Sequence, residues 1–233
     1  MLLGVLGAGL ALSVLPAASP DRGQPQSSRA AKPRKVYWSS GQPVYYAGGL
    51  KELISFADTI VVGKVTGIFR QDYTPIGHPE CQMGGHSVFT VAVEQVLRDR
   101  GQIPLKKTIK VYQKSVVLPT EVWLDEGDVL LQVGRRYLLF LESPDVASWG
   151  KLGYVPANRG NVKGISAYLD EYLIPDWYHG KVLLDKGIAS PPSDPWQTAR
   201  IPNPNAWPGP TLYGRSEAEL LADVRRILNT GQL

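Results

Sequence analysis

A chain of 233 residues, 43% hydrophobic and 20% charged, has the length and composition of a protein with one good core and an extension. Its net charge of +4 argues little for a nucleic-acid face: Arg22, Arg29, Lys32, Arg34 and Lys35 against Asp21 supply all of it, and residues 36–233 sum to zero. Cys81 is the single cysteine, which excludes a disulfide scaffold and the lipid-modified N-terminal cysteine of bacterial lipoproteins.

Residues 1–18 are apolar, with Pro16, Ala17, Ala18 and Ser19 closing the run. That is the pattern of a secretory signal's apolar region and cleavage zone, here without a charged side chain before it. The expectation is a signal peptide over residues 1–19 and a secreted, extracytoplasmic protein. The alternative is an uncleaved anchor, at about the twenty-residue minimum for one span, and only then would the chain meet a membrane. Residues 20–35 are predicted to be a disordered basic linker.

Residues 36–46 hold Tyr37, Trp38, Tyr45 and Tyr46 and read as a strand or an arm laid over the core. Leu50, Leu53, Ile54 and Ala57 make one face of a short helix. Asp58 then opens TIVVGKVTGIF, where Val61, Val65 and Phe69 share a parity with Gly63 and Gly67. Glycine weakens a strand unless the backbone bends or is closely approached there, as tightly coiled barrel strands require. Residues 70–87 are expected to be a long polar loop. In the strand at 88–97, Phe89, Val91 and Val93 alternate with polar partners until the phase slips at Val96-Leu97, which predicts a bend or bulge. Residues 98–101 read as a turn. The next strand, 107–116, turns Ile109 and Val111 inward, and 121–128 reads as an acidic loop around Trp123.

Two apolar runs, 129–133 and 137–141, flank Gly134-Arg135-Arg136 as one kinked strand or a tight hairpin. Residues 138–141 are apolar at both parities and should be buried on both faces. Residues 154–155 and 162–169 supply one or two further strands. Residues 181–184 make a short strand that turns at Asp185-Lys186-Gly187. Seven prolines with Trp196 and Trp207 make residues 190–210 extended surface chain. Residues 216–230 form the clearest helix. Ser216 and Glu219 make a capping box, Leu220, Leu221, Val224, Ile227 and Leu228 an apolar face, and Gly231 the left-handed stop. Such a face must dock on the rest of the protein.

The succession of helix, ADTIVVGKVTGI, long loop, VFTVAVEQVLRDRG, IKVYQ and VGRRYLLFLE resembles the OB-fold barrel of the netrin-like, tissue-inhibitor-of-metalloproteinase-like class in its secreted bacterial form. The shared features are the glycine-bearing strand after Ala-Asp, the V-x-x-V-L ending with a following Gly, and the Gly-basic-Tyr-Leu-Leu-Phe strand. They cover roughly residues 50–165. The resemblance implies a mainly β fold: an OB-fold-like barrel of five to six strands, closed or partly open, with a short N-terminal helix and a C-terminal helix. The barrel would span 36–169, and 170–233 would be the proline-rich extension with its docked helix. The eukaryotic inhibitors chelate a protease zinc through an N-terminal cysteine. This chain has neither that cysteine nor their disulfides, so the mechanism does not carry over and no functional residue is transferred.

One loop concentrates chemistry. HPECQMGGHS places His78, Glu80, Cys81, Met83 and His86 within nine residues. His78, Cys81 and His86 are the candidate ligands for zinc or copper, whose soft and imidazole preferences they match. The H-x2-C-x4-H spacing fits no standard motif, and a plain polar loop is the simpler reading of the same residues. Ligation would need deprotonated groups, so occupancy would fall as pH drops toward 5. His179 as a base, or Cys81 as a thiol nucleophile, would make a hydrolase, with no G-x-S-x-G elbow to support it. Asp125, Glu126 and Asp128 are Ca²⁺ candidates set against a solvated turn. Phe89 and Tyr112 are the aromatic candidates for stacking on an OB face, and Trp123, Trp196 and Trp207 for sugar. No catalytic residue and no organic cofactor is assigned. The reading is a secreted, non-enzymatic binding module whose partner is an extracellular protein or cell-wall polymer and not nucleic acid. Its rivals are the metal protein and the hydrolase.

Overall fold

The computed structural model describes residues 35–39, 48–72, 86–101, 103–125, 128–144, 170–175, 179–193 and 212–231. The expected signal peptide, most of the linker, the body of the 73–85 loop, the 154–169 strands and most of the proline-rich stretch lie outside them. The fold is mainly β. Strands β1 (Lys35–Ser39), β5 (Val116–Val117) and β6 (Glu121–Asp125) form a small sheet in the order β1-β6-β5. Strands β2 (Thr59–Asp72), β3 (His86–Asp99), β4 (Thr108–Gln113), β7 (Arg136–Leu141), β8 (Glu171–Leu173), β9 (Lys181–Asp185) and β10 (Ile188–Ser190) form the main sheet, ordered β10-β9-β7-β2-β3-β4-β8. Helix α1 is Leu50–Phe56 and α2 is Glu217–Thr230. Neither is long and apolar enough to cross a membrane, and no other helix stands among the described residues.

The main sheet does not close as a continuous ladder. Its order ends at β10 and β8, and one isolated antiparallel bridge joins Glu142, just past β7, to Leu173. The bridge is reciprocal: Glu142 N donates to the Leu173 carbonyl at 2.9 Å and Leu173 N returns to the Glu142 carbonyl at 3.1 Å.

Apolar parity explains why β2 and β7 sit in the middle. On β7, Leu138 and Phe140 enter one core while Tyr137, Leu139 and Leu141 enter the other. On β2, Ile60 and Val62 take the first side, Val61 and Val65 the second. Burial on both faces is what the run of 138–141 predicts. The first core is roofed by α1 and α2 through Leu50, Leu53, Ile54, Leu220, Leu221, Val224 and Ile227. The second is filled from β2, β3, β4, β7 and β8, with Val122 and Leu124 of β6.

Each fully buried aliphatic side chain contributes about 1.5–3 kcal/mol, so the four buried residues of α2 decide its docking. The Arg136 guanidinium meets Glu217 at 3.1 Å and Glu94 at 2.8 Å, and such half-exposed pairs add only about 0.2–1 kcal/mol each. The expected capping box is present: Glu219 N donates to Ser216 Oγ at 3.3 Å, Ser216 N donates to Glu219 Oε2 at 3.1 Å, and Gly231 is left-handed at φ 61°.

Helix α1 lacks a cap of that kind at its C-terminus. The buried Arg98 side chain from β3 donates to the carbonyls of Ile54 and of Ala57, the latter at 3.0 Å. Arg98 and Asp99 therefore belong to β3, paired with Ile60 and Thr59, and the turn expected at 98–101 starts later.

Residues 121–125 are corrected from loop to strand. Val122 and Leu124 are buried on a two-residue repeat, and the flanking acids hid it. Residues 171–173, which nothing local marks as a strand, pair in parallel with β4. Strands on both sides of Asp170 thus share the main sheet. The β9–β10 hairpin turns on Lys186 and Gly187, both with positive φ (50° and 76°), the backbone of a tight two-residue hairpin turn.

The β2–β3 ladder is bulged. Leu97 and Glu94 on β3, and Thr66 and Phe69 on β2, are skipped in the pairing. Leu97 is where the alternation slips, so that reading holds. Phe69 is the exception to its expected inward parity: as the extra residue of a bulge it turns out and is 53% exposed.

Of the two glycines of β2, only Gly63 is closely approached. A Cβ there would lie 2.6 Å from Val91 Cγ1 and 2.9 Å from the Ala92 carbonyl oxygen, while one at Gly67 meets nothing within 4 Å. Gly63→Ala is expected to cost about 1–3 kcal/mol in urea unfolding, and Gly67→Ala less than about 1 kcal/mol. Equal costs would show that the contact at Gly63 does not matter.

Candidate functional site

The bulge that turns Phe69 outward also sets its neighbourhood. Thr90 of β3 is in register with Lys110 of β4, and Lys110 with Glu171 of β8. The Lys110 ammonium sits 4.1 Å from the centroid of the Phe69 ring and 2.8 Å from Asp170 Oδ2. A cation over an aromatic face at an exposed site contributes about 0.5–1 kcal/mol. Beside this pair opens a cleft of about 170 Å³. Its apolar walls come from Phe69, Ile103, Pro104, Pro144 and Tyr172, its polar ones from Thr90, Thr108, Lys106, Lys110 and Asp170. Burial, with a smaller push from Asp99, raises the Tyr172 phenol to about 12, so it stays protonated as wall and donor.

One residue along β2, Arg70 reaches Glu171 at 2.8 Å. The Glu171 side chain is fully buried, and its second oxygen has no hydrogen-bond partner. Burial pushes this carboxyl up to about 7; Arg70 and Lys110 pull it back and Asp170 adds to the rise. Between about pH 4.5 and 7 the folded chain therefore holds a proton that the unfolded chain has lost, so stability falls as pH rises through that window.

Asp125 and Asp128, expected in a solvated turn, are both buried. Asp128 is 2% exposed and both its oxygens are taken. Oδ1 accepts from Lys181 Nζ at 2.8 Å and from Gln113 Nε2 at 2.6 Å; Oδ2 accepts from the backbone of Lys114 at 2.8 Å and of Ser115 at 3.2 Å. Ser115 Oγ donates to the Asp128 carbonyl at 3.1 Å and accepts from Asp125 N at 2.9 Å. Gln113 closes the set by accepting from Leu131 N at 2.7 Å. Asp125 stands 4.0 Å from Lys114 Nζ, and Glu126 lies outside the described residues. Asp128 is thus the hub of a buried polar knot around Lys181, which is fully buried.

Of the metal candidates, His86 begins β3, 1% exposed, with its ring stacked on Tyr112 at 5.3 Å between centroids. His78 and Cys81, with Glu80 and Met83, lie outside the described residues. Among the described residues no three His, Cys, Asp or Glu side chains are gathered as a metal would need. His179 is buried in the turn before β9. Phe89 belongs to the second core and Tyr112 is covered by His86, so neither is the stacking surface. Among the described residues Phe69 is the large aromatic side chain that stands exposed, and a two-residue repeat hides it because it is the extra residue of a bulge. Trp123 lies half-buried on β6, and Trp196 and Trp207 are outside the described residues. No protein family, no curated protein and no solved structure matches this chain.

Removing one member of a buried ion pair strands the other, at a typical cost of about 3–5 kcal/mol. Asp128→Ala is expected to lose that much in chemical denaturation, and a loss under about 1 kcal/mol would mean that Lys181 is not held by this pair. Glu171→Gln removes the titrating group. Across pH 5 to 7.5 the wild type should lose stability relative to the variant by on the order of 2–3 kcal/mol. Parallel stability curves for the two proteins would rule that account out.

Proposed function

We propose that this chain is a secreted, non-enzymatic binding module on a barrel of the OB type. The strand circuit supports the barrel: β2, β3 and β4 run antiparallel in turn, β8 joins β4 in parallel, and the Glu142–Leu173 bridge returns through β7 to β2. That is the path of a five-stranded, partly open Greek-key barrel. The β9–β10 hairpin and the small sheet are then additions to it, and the apolar stretch at 1–18 supports export.

The single observation that carries a binding role is Phe69. A large ring is held 53% exposed by a bulge, capped by the Lys110 ammonium, at the rim of a cleft lined from the second and third strands of the circuit. OB barrels bind across those strands. An exposed, rigid aromatic presents contact area at low entropic cost.

A ligand-observed NMR screen of small fragments against the wild type and Phe69→Ala tests this. Fragments that bind the wild type should weaken at least tenfold, about 1.4 kcal/mol, in the variant. The melting temperature should move little, because the substitution loses about the 0.5–1 kcal/mol of the Lys110 contact. A set of hits that bind both proteins equally would overturn the reading.

A further inference from the structure

We infer that the cleft beside Phe69 takes an apolar group bearing a single carboxylate. The inference rests on the binding-module reading and names the chemistry of its ligand. Size sets the first limit. At about 170 Å³ the cleft is little more than half of the roughly 300 Å³ at which pockets for drug-sized ligands begin. It admits one group of side-chain size. The walls set the second: Phe69, Ile103, Pro104 and Pro144 offer ring and aliphatic surface, which favours an apolar insert.

Charge sets the third limit. Three ionic side chains line the cleft: Lys106, Lys110 and Asp170. Asp170 is matched by Lys110 at 2.8 Å, and Lys110 is also seated on the Phe69 ring. Lys106 pairs with no carboxylate among the described residues and is exposed at the rim. The cleft therefore carries one uncompensated positive charge, which one carboxylate neutralises. The Thr90 and Thr108 hydroxyls add donors next to it. An ammonium group would meet Lys106 and Lys110 with only an already paired Asp170 to receive it.

Two sources supply this chemistry: a free small acid, or the C-terminal residue of a peptide with an apolar side chain. The probes are 3-phenylpropionate, 3-phenylpropanol and 3-phenylpropylamine, which share an apolar body and differ in charge. Amide shifts of Thr90, Thr108 and Lys110 in nitrogen–proton NMR spectra of the full chain report binding. The acid should bind at least threefold tighter than the alcohol, and the amine weakest. In Lys106→Gln the acid should fall to the alcohol's affinity while the alcohol is unchanged. Acetyl-Gly-Gly-Phe as free acid and as amide form a second arm. If the peptide acid binds tighter than 3-phenylpropionate, a peptide terminus is the source; if weaker, a free acid is. A peptide amide that binds as well as the peptide acid counts against the carboxylate. Equal binding of all three phenylpropyl probes overturns the ligand class and leaves the module standing. Absence of any shift at those amides overturns the class and the module's cleft together.

Discussion

The carboxylate of Asp128 is the point on which the two sheets depend. It is removed from water and accepts from an ammonium, an amide side chain and two backbone N–H groups. Desolvating such a pair costs several kcal/mol per ion, which good geometry and additional hydrogen bonds must offset. Here the four donors come from three parts of the fold. Gln113 ends β4, Lys114 and Ser115 carry the chain into β5, and Lys181 opens β9. The knot thus fixes where the small sheet leaves the main one, and it holds β9 against the same place. A hydrophobic replacement could match its stability, but not its register. Four donors converging on one carboxylate admit a single placement of β4, β5 and β9, whereas apolar contacts tolerate sliding.

With that junction fixed, the rest follows from a sheet that is apolar on both sides. β2 and β7 lie between two cores, so each needs a cover. The helices cover one side because their apolar faces have no other place to go. Residues of β3, β4, β6 and β8 line the other, and the ladder between β2 and β3 is irregular. Four residues fall out of their ladder, and Gly63 lets the two backbones close where a Cβ would touch Val91. The same irregularity leaves Phe69 unpaired in the ladder and 53% exposed. Architecture and the candidate site therefore share one cause.

How much of this can be read from the chain alone depends on range. α1, α2, β7 and the β9–β10 turn follow from local repeats, caps and turn residues and stand where those signals put them, while β3 runs past its expected 88–97 at both ends, to His86 and Asp99. β6 was hidden because acids at its ends outweighed the Val122 and Leu124 alternation. β8 was hidden because three residues carry no period. Asp128 reads as a surface acid until Lys181, 53 residues on, is brought to it. The Lys110–Asp170 contact spans 60 residues and the Arg70–Glu171 contact 101, so neither leaves a local trace. Parity also misplaces Phe69, which is itself the unpaired residue of a bulge. The chemistry around His78 and Cys81 lies in the stretch between β2 and β3 that the described residues do not include.

The two cations and two acids beside the Phe69 bulge are not paired at random. Lys110 stands in register with Glu171, yet it turns to Asp170, and Arg70 takes Glu171 instead. Arg is the more weakly hydrated cation, and its planar fork suits a partner withdrawn from water; Lys is a compact, strongly hydrated charge that suits an acid still in contact with solvent. Glu171 is fully buried and Asp170 is 42% exposed, so each acid has the cation that its surroundings favour. The exchange has a consequence for the surface. The buried pair takes no part in the rim, and the exposed pair cancels itself while keeping an ammonium on the Phe69 ring. What the cleft then presents to solvent is an aromatic wall and the charge of Lys106, a combination set by the sorting of its neighbours as much as by its own side chains.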